Sequence, residues 1–77
     1  MKYLPVITFR EGKQFHILVL IYSDDIEIGS SSVVVFYEKG NFIFKSLVYV
    51  FPTKALSICP EEEIKKAIKN YLKRLYG

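Results

Sequence analysis

Outside the C-terminal helix region, the clustered carboxylates are Asp24, Asp25 and Glu27, with Glu38 further along. Two or three carboxylates on a divalent ion, with a lysine such as Lys39 beside them, would suit a metal-dependent nuclease. Their spacing is not diagnostic of that chemistry, and acids in a turn or at a strand end are ordinarily just solvated. No metal ligand, catalytic residue or cofactor is therefore assigned. His16 is the one histidine. No Ser or Cys nucleophile is placed for it as a general base, so it reads as a half-buried or interfacial histidine. Cys59 stands just before a helix start, a position that lowers thiol pKa, but no partner motif accompanies it. Gly29-Ser30-Ser31-Ser32 offers amides to a phosphate, yet lacks the lysine and spacing of a P-loop.

The basic residues make a stronger pattern. Lys65, Lys66, Lys69, Lys73 and Arg74 recur along one stretch, and at helical spacing they occupy the side opposite an apolar stripe. Such a face can contact nucleic-acid phosphates, although a row of cations is also how a helix solvates its outer side. Phe36, Tyr37, Phe42, Phe44 and Tyr49 could stack on bases if they shared an open sheet face.

The elements that must position these groups can be read from periodicity. From Pro60 to Gly77, the residues Ile64, Ala67, Ile68, Tyr71, Leu72 and Leu75 follow the three-and-four spacing of an amphipathic helix. Pro60 suits its first helical position. Glu61, Glu62 and Glu63 in the first turn, and Lys73 and Arg74 near the end, complement the helix dipole. Earlier residues read as strand. Tyr3–Arg10 is a first strand, at an edge because Pro5 cannot donate to a central ladder. Glu11-Gly12-Lys13 turns the chain into a second strand, Gln14–Tyr22. Ser23-Asp24-Asp25 breaks the run. Ile26–Ile28 is a short strand or part of the next, and Gly29–Ser32 a loop tip or bulge. Val33–Glu38 is a third strand and, after Lys39-Gly40-Asn41, Phe42–Phe51 a fourth. Thr53–Cys59 connects to the helix, with Leu56 and Ile58 placed to pack beneath it.

The predicted fold is α+β: a four-stranded antiparallel, meander-like sheet with one C-terminal amphipathic helix packed on one face, in a single domain spanning residues 1–77. With 77 residues and one cysteine, the chain has no internal disulfide, which fits a reducing, cytoplasmic setting. No apolar run reaches the roughly 20 residues of a membrane span. The net charge of +3 permits an anionic partner without requiring one. Lysine outnumbers arginine, isoleucine is abundant and Asn, Gln and Met are scarce, a thermophile-like balance.

Alternation sorts the strand faces. It sets Tyr3, Pro5, Ile7 and Phe9 against Leu4, Val6, Thr8 and Arg10. It sets Phe15, Ile17, Val19 and Ile21 against His16, Leu18, Leu20 and Tyr22, and Val33, Val35 and Tyr37 against Val34, Phe36 and Glu38. In the last strand Phe42, Phe44, Ser46, Val48 and Val50 oppose Ile43, Lys45, Leu47, Tyr49 and Phe51. Both faces are apolar, and one helix covers one face. The expectation is a homodimer or higher oligomer acting by association. Its target is DNA or RNA, met through Lys65, Lys66, Lys69, Lys73 and Arg74. Alternatives are a module that binds another protein through a sheet edge or the aromatic face, and a small metal-dependent nuclease.

Overall fold

The computed structural model describes residues 1–50 and 60–76. Four strands, β1 (Lys2–Glu11), β2 (Gln14–Ser23), β3 (Ile26–Glu38) and β4 (Asn41–Val50), pair antiparallel in the order β1-β2-β3-β4. Helix α1 (Glu61–Tyr76) packs on one face. This is the expected small α+β fold, with β1 and its Pro5 at an edge. The connector expected over 53–59, with Leu56, Ile58 and Cys59, lies outside the described residues, as does Phe51.

Each hairpin has a two-residue turn, and backbone angles explain which residues sit there. Glu11 pairs with Gln14, and Gly12 alone takes a positive φ, 60°, as a type II′ turn requires of its first central residue. Ser23 pairs with Ile26 across Asp24 and Asp25, with φ of 51° and 64°. Glu38 pairs with Asn41 across Lys39 and Gly40, with φ of 48° and 81°. The last two are type I′ turns, whose twist matches that of the flanking strands.

The core lies between sheet and helix. Phe15, Ile17, Val19, Ile21, Val33 and Val35 from the two central strands close on Ile64, Ile68 and Leu72 of α1. These three helix residues recur at four-residue intervals, so they form the ridge aimed at the sheet. Burying such a side chain contributes about 1.5–3 kcal/mol, so this seam is the main adhesive of the fold. Leu75 continues the stripe in sequence but remains 52% exposed at the helix end. Pro60 is buried and its carbonyl accepts the first helical hydrogen bond, from the Ile64 amide at 3.0 Å. It therefore caps the helix and does not occupy the first turn, where its missing amide had suggested it would be.

Three bulges change the faces that strict alternation implies. On β1, Ile7 pairs with Ile17 but Phe9 pairs with His16, so Thr8 is the extra residue. Beyond it Phe9 lies on the face away from the helix, and Arg10, opposite Phe15, lies on the helix side. The expected grouping of Phe9 with Tyr3, Pro5 and Ile7 is thus corrected. On β4, Phe44 pairs with Val35 and Ser46 with Val34, leaving Lys45 extra. Phe42, Phe44, Leu47 and Tyr49 pack toward the core, while Ser46 and Val48 are exposed on the other face. On β3, Gly29 pairs with Ile21 and Glu27 with Tyr22, so Ile28 is extra. The segment Gly29–Ser32, read from sequence as a loop tip or bulge, is regular strand just beyond this bulge. Its small polar side chains had resembled a turn. Ser31 is buried, and its hydroxyl donates to the Val48 carbonyl at 3.0 Å. That bond satisfies a polar group the core would otherwise leave unpaired.

Candidate nucleic-acid interface

The helix runs along the sheet with a fixed polarity. The Tyr3 hydroxyl donates to the Glu63 carboxylate, which sets the N-terminus of α1 beside the start of β1. Tyr76 lies against Phe15, with ring centroids 5.4 Å apart, which sets its C-terminus beside the β1–β2 turn. All of Asp24, Asp25, Glu27, Glu61, Glu62 and Glu63 therefore gather at one end of the molecule, opposed there by Lys2, Lys65 and Lys66. At the other end stand Arg10, Lys13, Lys39, Lys73 and Arg74, with Lys45 and Lys69 nearby, opposed by Glu11 and Glu38. Of these acids, Glu38 forms an ion pair with Lys13. The long dimension of the molecule is 36 Å, so the two charge sets are separated by more than the ~8 Å over which salt screens exposed charges.

The five helix cations do not form one continuous face. Lys65, Lys69 and Lys73 line the β4 flank. Their ammonium groups stand 5.5 Å and 5.9 Å from the Phe44 ring for Lys65 and Lys69, and 5.9 Å from the Phe42 ring for Lys73. These distances fall within the range of cation–π attraction, so the aromatics order the row without neutralising it. Successive members are about 6 Å apart along the axis, from a rise of roughly 1.5 Å per residue. Lys65 is committed to Glu61, at 3.0 Å, and this hydrogen bond raises its pKa. Lys66 is on the β1 side, beside Tyr3, Glu63 and Asn70. Arg74 is exposed in the last turn.

The structure brings three cations from outside the helix to the same end, of which Lys13 and Lys39 are also candidates from sequence and Arg10 is not. Arg10, Lys13 and Lys39 border a cleft of about 210 Å³ together with Phe15, Tyr37, Glu38 and Tyr76. The Arg10 guanidinium lies 4.9 Å from the centroids of both Phe15 and Tyr76, and its Nε donates to the Gly12 carbonyl at 2.9 Å. It is held in place by two rings and the turn. The bulge at Thr8 creates this site by turning Arg10 to the helix side. Alternation had assigned Arg10 to the other face, and no local signal marked the bulge.

No family model, curated protein or solved structure matches this chain. No helix among the described residues is long and apolar enough to cross a membrane.

Two sequence readings change with this geometry. Tyr37, Phe42, Phe44 and Tyr49 pack on the core side under the helix, so the proposed base-stacking platform is not assembled. Phe36 alone of that set faces away from α1, with the Lys45 ammonium 5.7 Å above it. Asp24, Asp25 and Glu27 lie at one end of β3 and Glu38 at the other, so the four acids do not converge. Among the described residues no group of three or more His, Cys, Asp or Glu could hold a metal. His16 is half-buried on the face away from the helix, edge-on to Phe9 with centroids 5.3 Å apart.

Proposed function

We propose that this chain is a small non-enzymatic binding protein that associates with itself and contacts nucleic-acid backbone through its basic end. The observation supporting this reading is the collection of Arg10, Lys13, Lys39, Lys69, Lys73 and Arg74 at one end, with most carboxylates held at the other. A polyanion approaching that end meets a local positive field that the modest overall charge conceals. Phosphate contacts of this kind give affinity without reading bases, so binding would be sequence-tolerant and salt-dependent.

Fluorescence anisotropy with duplex DNA, single-stranded DNA and RNA over a range of salt tests the reading. The expected result is a linear fall of log affinity with log salt. Replacing Lys69, Lys73 or Arg74 by alanine should each reduce the duplex slope by about 0.9. Absence of salt-sensitive binding to all three nucleic acids would eliminate it.

A further inference from the structure

The sheet face away from α1 carries Leu4, Phe9, Leu18, Leu20, Ile43 and Val48, with the small hydroxyls of Ser32 and Ser46 between them. Among these, Leu4 is 47% exposed, Phe9 55%, Ile43 56% and Val48 55%. No described element lies across it. The molecule measures 36 × 21 × 20 Å along its principal axes, which bounds this face at on the order of 700 Å² in plan. An ordinary stable interface takes about 800 Å² per partner.

We infer that this face is closed by a second copy of the same chain, packed sheet to sheet about a two-fold axis perpendicular to the strands. The inference deepens the self-association proposed above and does not depend on nucleic-acid binding. Three observations select this occupant. First, the middle of the face, from Leu4, Leu18 and Leu20 to Val34 and Val48, carries no acidic or basic side chain except the half-buried His16. A face can pack against its own copy only if it does not bring like charges together. Second, edge-to-edge pairing is obstructed on both sides. β1 carries Pro5 and the Thr8 bulge, and β4 carries a bulge at Lys45, devices that protect open edges. Third, each chain has a basic end and an acidic end. A two-fold axis perpendicular to the strands lays the basic end of one copy over the acidic end of the other. An axis parallel to the strands would superpose like on like, which disfavours it. Stacked sheets lie about 10 Å apart, just beyond the ~8 Å screening length at physiological salt, so only charges bordering the open face, such as Asp25 beside Leu4 and Lys45 over Phe36, take part, and their pull grows as salt is lowered.

The antiparallel dimer presents its two helices on opposite outer surfaces and its two basic ends at opposite extremities.

Light scattering on the intact chain across micromolar concentrations should show a dimer. Leu18→Lys, on the open face and outside the core, should give a monomer with unchanged circular dichroism. A wild-type monomer at every concentration would overturn the inference, as would a Leu18→Lys variant that is still folded and dimeric. The orientation is tested by charge exchange between two variants. K13E/K39E/K45E makes the basic end acidic, and D24K/D25K/E27K makes the acidic end, which also holds Lys2, Lys65 and Lys66, basic. Each variant alone should dimerise at least about tenfold more weakly than wild type, and an equimolar mixture should recover the affinity. Variants that dimerise as well alone as when mixed would reject the antiparallel arrangement. Nucleic-acid titration of the Leu18→Lys monomer separates the two ideas. Salt-sensitive binding there with no dimer in wild type defeats the dimer alone, whereas a dimer that never binds nucleic acid defeats only the other reading.

Discussion

Tyr3, near the start of β1, donates its hydroxyl hydrogen to the carboxylate of Glu63 in the first turn of α1. This bond joins the two ends of the sequence and fixes which end of the helix meets which end of the sheet. Burial first, and then the neighbouring Glu63 carboxylate, hold the Tyr3 phenol protonated well above its ordinary value of 10.0. The folded state therefore retains a proton that the unfolded chain loses near pH 10. Stability from this source is complete below that pH and is lost as pH rises beyond it. Lys65, raised by its hydrogen bond to Glu61, acts in the same direction. Urea midpoints should be flat at neutral pH and fall above about pH 10. The fall should be shallower in Tyr3→Phe, which at neutral pH loses about 1 kcal/mol with the hydrogen bond.

The Asp24-Asp25 turn holds two side chains at positive φ, where glycine is relieved of steric conflict. Asp25→Gly should stabilise the fold by about 0.5–1 kcal/mol despite the entropy glycine adds to the unfolded chain. That corresponds to a rise of a few degrees in Tm for a chain of this length, readable by thermal circular dichroism.

The helix ridge and the open face should differ sharply in sensitivity. Ile68, 0% exposed in the core, should cost about 2–5 kcal/mol when changed to alanine, enough to unfold much of a domain with ordinary marginal stability. Ile43→Thr, on the open face, should change unfolding of the monomeric Leu18→Lys background by less than about 0.5 kcal/mol. Denaturant titration of the two variants makes the comparison.

If nucleic acid is bound, the contribution of Arg10 separates the tertiary site from the helix alone. Arg10→Gln should weaken duplex binding and lower the salt slope by about 0.9. Lys66→Gln, on the other flank of the helix, should change the slope less. Equal effects from both would mean that the helix, not the basic end, defines the contact.

The alternation of apolar residues determined the strands, and three-and-four spacing determined the helix. Each is a local consequence of where backbone geometry points successive side chains. Both apolar faces were also evident, because Leu18 and Leu20 alternate with Ile17, Val19 and Ile21. Gly29–Ser32 was not read as strand because small polar residues serve equally in turns and beside packed surfaces. The bulges at Thr8, Ile28 and Lys45 were decided by tertiary structure. A bulge is one unpaired backbone position, set by how two strands must twist and register together, and the side-chain pattern around Thr8 has no mark of it. The exchange of Phe9 and Arg10 between faces followed from that single insertion. The segregation of charge was likewise invisible in one dimension: Arg10, Lys39 and Lys73 lie far apart along the chain, and only antiparallel pairing and the direction of α1 bring them to the same end.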